Sequence, residues 1–250
     1  MNKIKIENVT KEILLIIYIV LGILRTSTID IIHFDSICKY LQIVSLGIIF
    51  IISGIDLLKK KIKINLFIII LGIYSIINLI ITKHTFFLGF LAFYLAFINL
   101  DYKKTVFKLN ISIIITSLLI IILAITGIIL NDTTTRGTED LRYLLGFKTS
   151  TLPCSILLFT LINFIIVYQN KLKLPFFISY ILFGFLLYIV TDTKTGFLLV
   201  ILVSIIYILS VNTKLSKYIP KFMNAKTTKI IIYLIRQIYF YSVQLNNIYY

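Results

Sequence analysis

Long apolar runs separated by short polar segments make up most of the chain. A helix that crosses a bilayer needs about 20 mostly apolar residues, within a range of about 17–25. Runs of that length predict the membrane-spanning helices 11–29, 37–58, 64–82, 84–100, 108–130, 152–169, 174–191 and 195–212. The sequence therefore predicts an all-α fold, in which residues 1–212 form one polytopic bundle of about eight transmembrane helices.

Two segments depart from this pattern. Residues 131–151 form the longest polar loop and carry charges and threonines between two apolar runs. Residues 213–250 form a basic tail, in which segment 230–245 is apolar but has Arg236 at its centre. Because a charge in the middle of a bilayer is costly, segment 230–245 is interpreted as an interfacial helix, with a ninth span as the alternative.

The composition agrees with a membrane protein. Hydrophobic residues make up 59% of the chain and charged residues 14%, and the mean hydropathy is +1.02. The net charge of +15 could indicate a nucleic-acid partner, but the lysines lie in the short segments between the spans. Because cytoplasmic loops of membrane proteins are enriched in lysine and arginine, the charge is assigned to topology and nucleic-acid binding is not expected.

The basic residues also orient the chain. With the N-terminus in the cytoplasm, 17 lysines fall on the cytoplasmic side, seven lysines and arginines fall on the outer side, and the remaining arginine, Arg236, lies in the tail. This asymmetry favours a cytoplasmic N-terminus and tail, and it places loop 131–151 outside. Arg25, Arg136 and Arg142 then lie outside, against the bias. Arg25 is interpreted as extending to the lipid headgroups from the end of the first span.

Several classes of active site lack their sequence signature. The chain has no glycine-rich phosphate loop ending in Lys-Ser or Lys-Thr, no histidine pair at helical spacing, no Asp-x-Asp pair and no Gly-x-Ser-x-Gly turn. Its carboxylates lie at the ends of the predicted spans, which counts against a proton relay in mid-membrane. Cys38 and Cys154 are interpreted as unpaired thiols, with a disulfide between them on the outer side as the alternative.

One constellation on the outer side remains. It combines loop 131–151 with the turn TDTKTG, residues 191–196. Its cations are Arg136, Arg142, Lys148 and Lys194, and its acids are Glu139, Asp140 and Asp192. Guanidinium groups bind phosphate oxygens bidentately and lysine acts as a point charge, so the cluster suits a diphosphate at the outer headgroup layer. The alternative is that these side chains contact lipid phosphates and neutralise one another.

Two segments, RGTEDLRYLLGF (136–147) and YIVTDTKTGFLLVIL (188–202), resemble Wzy-type polysaccharide polymerases of the O-antigen polymerase and ligase group. Arg142 and Gly146-Phe147 match the first motif of the capsule polymerases, and Pro153 approximates the helix start that follows it. The second motif is matched by Thr191, Thr193, Lys194, Thr195 and Gly196. This chain has threonine at 193 where the family has serine, and Lys194 where it has arginine. It also lacks the His and Asn of the family's helix start.

The resemblance implies glycosyl transfer on the outer face of a bacterial plasma membrane. A polysaccharide on an undecaprenyl-diphosphate-type lipid would be moved onto the end sugar of the next lipid-linked repeat unit. The residues that would bind the diphosphate and stabilise its departing charge are Arg136, Arg142, Lys148, Thr193 and Lys194. The proton of the attacking hydroxyl would pass to Glu139, Asp140 or Asp192.

No metal or other cofactor is implied, because the chain supplies its own cations. The expected partners are the lipid-linked oligosaccharide, membrane lipids and other polysaccharide-assembly proteins. Gly146 and Gly196 would allow a close backbone or helix contact, or would simply occupy a turn or helix end. Two alternatives stay open: an exporter of lipid-linked oligosaccharide, and an inactive, truncated relative of the polymerases whose sequence ends soon after the eighth span.

Overall fold

The computed structural model describes residues 2–30, 32–59, 66–82, 86–136, 140–168 and 171–212. These residues form eight α-helices and one two-stranded hairpin, which confirms the predicted all-helical architecture. The helices are α1 (Asn2–Arg25), α2 (Phe34–Leu58), α3 (Leu66–Thr82), α4 (Phe86–Asn99), α5 (Tyr102–Ile125), α6 (Leu152–Tyr168), α7 (Leu174–Thr191) and α8 (Lys194–Asn212). Strands β1 (Thr133–Arg136) and β2 (Asp140–Tyr143) lie between α5 and α6. The basic tail and its segment 230–245 lie outside the described residues.

Three of the described helices, α2, α5 and α7, are long and apolar enough to cross a membrane. Shorter apolar stretches lie in α3, α4, α6 and α8. Large apolar side chains also cover the outside of the helices, as at Ile51, Ile73, Ile122 and Leu186. Extended exposed apolar surface of this kind marks contact with lipid rather than water. The protein is therefore a helical bundle that associates with a membrane.

The core lies around α4, the shortest of the eight helices. Every residue from Ala92 to Phe97 is buried, because α4 packs against α1, α2 and α3. A helix that is apolar on all sides is expected in such a central position. A second, smaller core joins α6, α7 and α8 through Leu161, Phe177, Val200 and Tyr207.

Helix α1 begins well before the predicted span 11–29 and ends at Arg25. Its polar first half stays helical because its side chains find partners on neighbouring helices. Asn8 donates to the backbone oxygen of Asn99, and Glu12 accepts hydrogen bonds from Thr105 and Lys108. A prediction from hydropathy alone starts this helix too late, because hydropathy treats such residues as if they faced water.

Helix α5 ends at Ile125, five residues before the predicted end of its span. Gly127 follows with φ = 74°, and the N–H groups of Gly127 and Ile128 donate to the oxygens of Ala124 and Leu123. This pair of bonds to a left-handed glycine is a common helix ending. Because the residues after Gly127 are also apolar, the predicted span continues beyond the observed end of α5.

A buried ion pair joins α1 to α2 at the end of the bundle away from the hairpin. Lys11 Nζ lies 2.5 Å from Asp56 Oδ2, and both side chains are buried. Asn99 at the end of α4 also donates to Asp56 Oδ2, at 3.2 Å. Because a buried charge needs a partner and further hydrogen bonds, this cluster sets the relative positions of three helices. The sequence placed both charged residues at span ends but did not predict their pairing.

Candidate functional site

The hairpin lies at the end of the bundle where α1, α5 and α7 end and α2, α6 and α8 begin, which is called the hairpin end below. Strand β1 pairs with β2 in antiparallel register, from Thr133 opposite Tyr143 to Arg136 opposite Asp140. The run of threonines favours a strand, because β-branched side chains suit extended backbone. The predicted loop 131–151 is thus partly ordered as a hairpin.

The residues after β2 anchor the hairpin to the bundle. Phe147 is completely buried, and its N–H donates to the oxygen of Leu144 across a turn in which Leu145 and Gly146 both have positive φ. The N–H of Thr28 donates to the oxygen of Gly146 (2.8 Å), and the N–H of Lys148 donates to that of Thr26 (2.7 Å). The Gly-Phe pair of the first motif is therefore a structural anchor that ties β2 to the end of α1.

Gly146→Ala is expected to loosen this anchor. Gly146 has φ = 77°, and an added Cβ would lie 2.8 Å from Ile129 Cδ1 and 2.9 Å from the Ala124 Cβ. Gly127→Ala is the matched control, because its φ is 74° but nothing lies within 4 Å of an added Cβ. Overpacking costs about 1–3 kcal/mol, so Gly146→Ala should lower the free energy of unfolding in detergent by about that much more than Gly127→Ala. Equal losses would mean that the close contacts are absent.

Arg142 is the residue of β2 that connects the two sequence motifs. Its Nη2 lies 2.7 Å from Asp192 Oδ2, in the turn between α7 and α8. The side chains of Arg142 and Asp192 are only 12% and 22% exposed. Lys194 Nζ approaches the other oxygen of Asp192 at 3.9 Å. The structure thus brings Arg142, Asp192 and Lys194 together.

This arrangement leaves positive charge and a donor available. Two cations share one carboxylate, so the group as a whole has a charge of +1. Arg142 Nε is buried and has no hydrogen-bond partner among the described residues. The guanidinium binds Asp192 through one nitrogen and keeps an unused N–H at Nε, which a second anion reaches only if the side chains that enclose it move. Phosphate oxygens suit such a donor, because hydrogen bonds between ionised partners are the stronger ones.

The threonines of the second motif have a different role. Thr193 is buried, and its Oγ1 lies 2.7 Å from Thr191 Oγ1 and donates to Cys154 Sγ at 2.8 Å. Thr191 is also buried and donates to the backbone oxygen of Leu187. These hydroxyls join the turn to α6 and face the protein. Thr193 helps to hold the turn that carries Asp192 and Lys194 against α6, and its predicted contact with substrate stays a prediction. Cys38 and Cys154 are both free, buried thiols, as predicted.

Gly196 allows α8 to approach α6 closely. A Cβ at this position would lie 2.7 Å from the Cβ of Cys154. Of the roles considered for this glycine, the structure favours helix packing, as small residues permit at helix interfaces in membranes. The motif glycine therefore helps to position the turn that carries Asp192.

Lys148 lies apart from the Asp192 group. Its Nζ is 3.6 Å from Asp35 Oδ1, which also accepts a hydrogen bond from Arg25 Nε at 3.3 Å. The sequence had placed Lys148 in one cluster with Arg142 and Lys194. The structure instead divides the cations of the hairpin end between Asp35 and Asp192, because the turn at Gly146 directs the chain from α7 towards α1.

Arg136, Glu139 and Asp140 are the remaining residues of the predicted site. Arg136 and Asp140 pair across the end of the hairpin, but only their backbone is described. Glu139 lies outside the described residues. Their proposed roles in binding diphosphate or in proton transfer therefore remain predictions.

The sequence missed Arg25, Asp35 and Gln42 as members of a polar group. Arg25 Nη1 donates to Gln42 Oε1 at 3.0 Å, so the arginine is held within the protein rather than extended to lipid. The available signal was that the predicted topology places this arginine on the outer side, against the charge bias. Ten residues and an intervening turn separate Arg25 from Asp35, and sequence spacing alone does not predict that contact.

Comparisons with protein-family models, with curated proteins and with solved structures gave no match.

Proposed function

We propose that this protein is a polysaccharide polymerase of the Wzy type, working on the outer face of a bacterial plasma membrane. It would join repeat units that are carried on an undecaprenyl-diphosphate-type lipid. The observation that carries this proposal is the ion pair between Arg142 and Asp192, because it unites the two separate segments that resemble the family. The resemblance alone did not require these residues to meet.

The proposal includes the full topology. All eight helices would cross the bilayer, with the N-terminus in the cytoplasm and the hairpin end outside. Helix α4 has 14 residues and, at 1.5 Å per residue, extends about 21 Å, which is less than the hydrocarbon core of about 30 Å. Its enclosed position among α1, α2 and α3 makes a short span acceptable, since its ends need not meet the lipid headgroups directly.

An apolar groove beside the candidate site supports a lipid substrate. The groove has a volume of about 350 Å³ and lies between α5, α6 and α7, where its lining includes Ile121, Pro153, Leu157 and Leu187. Pro153 precedes Cys154, which binds the turn carrying Asp192, and Leu187 lies one helical turn before Thr191. A lipid whose diphosphate lies at Arg142 could therefore place part of its chain in this groove.

In the proposed reaction, negative charge develops on the departing lipid diphosphate. The hydroxyl oxygen of the acceptor sugar attacks the anomeric carbon of the donor, and the bond from that carbon to the diphosphate oxygen breaks. The lipid diphosphate leaves with the electron pair, and Arg142 and Lys194 stabilise its added negative charge. The hydroxyl proton passes to a carboxylate, for which Glu139, Asp140 and Asp192 are the candidates.

The leaflet on which repeat units accumulate in cells that lack the protein distinguishes a polymerase from an exporter. Cells lacking the protein are expected to accumulate single lipid-linked repeat units on the outer leaflet, because export continues without polymerisation. The measurement is the accessibility of those units to an added glycosidase or lectin in intact cells. Accumulation on the inner leaflet would instead indicate an exporter, and an unchanged polymer length would indicate an inactive relative.

A further inference from the structure

Arg25 forms a second cationic centre at the hairpin end. Its guanidinium donates to Asp35 through Nε and to Gln42 through Nη1, and Lys148 approaches the same oxygen of Asp35. Gln42 is buried and donates in turn to the backbone oxygen of Tyr18. The guanidinium is thus held in one position by a buried amide rather than left to move in the headgroup layer.

The two centres have the same composition. Each has one carboxylate, one arginine and one lysine: Asp192 with Arg142 and Lys194, and Asp35 with Arg25 and Lys148. Each therefore has a charge of +1. The short segment from Arg142 to Lys148 connects them, because its first residue belongs to one centre and its last to the other. Buried Phe147 fixes that segment against α1.

The two centres differ in exposure. Arg142 and Asp192 are 12% and 22% exposed, whereas Arg25 and Asp35 are 28% and 53% exposed; the lysines Lys194 and Lys148 are exposed in both centres, at 67% and 55%. The second centre is therefore open to a ligand that exchanges without rearrangement of the helices. An anion there could bind Lys148 and Arg25 while Asp35 turns towards water. Loss of one surface ion pair costs little, about 0–1 kcal/mol.

We propose that Arg25 and Lys148 hold the diphosphate of a second lipid-linked substrate, an inference that rests on the proposed polymerase function. Polymerisation joins two molecules that each carry a diphosphate, but only one diphosphate leaves. Arg142 and Lys194 bind the departing group, and Arg25 and Lys148 bind the group that stays with its lipid. The segment that connects the centres sets the spacing of the two substrates at the hairpin end.

The test measures how many diphosphate lipids bind. The full chain is placed in nanodiscs of zwitterionic phosphatidylcholine, and binding of labelled undecaprenyl diphosphate is followed to saturation. The wild-type protein is expected to bind two molecules. Lys148→Gln and Arg25→Gln should each lower the affinity for one of the two molecules by at least about tenfold and leave the affinity for the other unchanged. Arg142→Gln should abolish binding of the molecule that does not depend on Lys148 or Arg25.

Lys39→Gln is the matched control, because Lys39 is an exposed lysine on the same helix as Asp35 and should leave both molecules bound. Excess phosphatidylglycerol and inorganic diphosphate are added as separate competitors. If phosphatidylglycerol displaces the molecule that depends on Lys148, the centre binds ordinary lipid phosphate and the inference is wrong. Competition by inorganic diphosphate alone supports recognition of the diphosphate.

The remaining outcomes separate the two proposals. A single bound molecule that depends on Arg142 but not on Lys148 or Arg25 would overturn the second site and leave the polymerase proposal standing. Binding that is unchanged in Arg142→Gln, Lys148→Gln and Arg25→Gln alike would contradict both.

Discussion

Arg142→Ala is expected to abolish polymer while single lipid-linked repeat units persist in a strain complemented with the variant. Arg142 joins the first motif to the second through its ion pair with Asp192, and its Nε is a buried donor with no hydrogen-bond partner among the described residues. Removing one donor to a developing anion typically lowers kcat by about 10²–10³-fold, so long chains should disappear. Gel analysis of polymer length, with immunoblotting of the protein, measures the effect.

The charge-conserving variant Arg142→Lys separates geometry from charge. A lysine can keep the ion pair with Asp192 but cannot donate from two planar nitrogens. We therefore expect Arg142→Lys to accumulate in the membrane at the wild-type level and to make little polymer. Lys39→Gln should leave the chain-length distribution unchanged. Full-length polymer from Arg142→Ala would show that the ion pair is only structural.

Lys11→Met is expected to destabilise the bundle more than any exposed substitution. Asp56 would lose its partner, and removing one member of a buried ion pair costs about 3–5 kcal/mol. The effect should appear as a lower unfolding temperature in detergent and as faster proteolysis in membranes. Lys104→Met is the matched control, because Lys104 is exposed and its ion pair among the described residues is a local one, with Asp101 at 3.7 Å.

The double variant Lys11→Met/Asp56→Leu tests the cause of that loss. Replacing both charges with apolar side chains removes the unpaired carboxylate, so most of the stability should return. A double variant that is as unstable as the sum of the two single variants would mean that Lys11 and Asp56 do not interact.

The helices could be predicted from the sequence where apolar length and local end signals agree. The observed bounds of α7, Leu174–Thr191, coincide with the predicted span, and α6 begins where predicted, at Leu152. The predictions failed where polar residues are helical or apolar residues are not. Asn8 lies inside α1, before the predicted span, and its side chain bonds to Asn99, whereas Ile128 lies outside α5 because Gly127 ends that helix.

The candidate site was predicted in part. Motif spacing selected Arg142 and Lys194, and the structure places both beside Asp192. The separation of Lys148 could not be predicted, because it depends on a turn whose two central residues have positive φ, one of which is Leu145. A leucine in that conformation is uncommon and gives no sequence signal. The pairing of Arg25 with Asp35 depends in the same way on contacts between distant segments.

The location of the hairpin relative to the membrane tests the central claim most directly. Two single-cysteine reporters test it: Thr135→Cys on the exposed side of β1, and Lys103→Cys near the start of α5. The native thiols of Cys38 and Cys154 are buried. A membrane-impermeant maleimide added to intact cells should label Thr135→Cys, and it should label Lys103→Cys only after permeabilisation. Labelling of Lys103→Cys alone in intact cells would place the hairpin in the cytoplasm and contradict an outer-face polymerase.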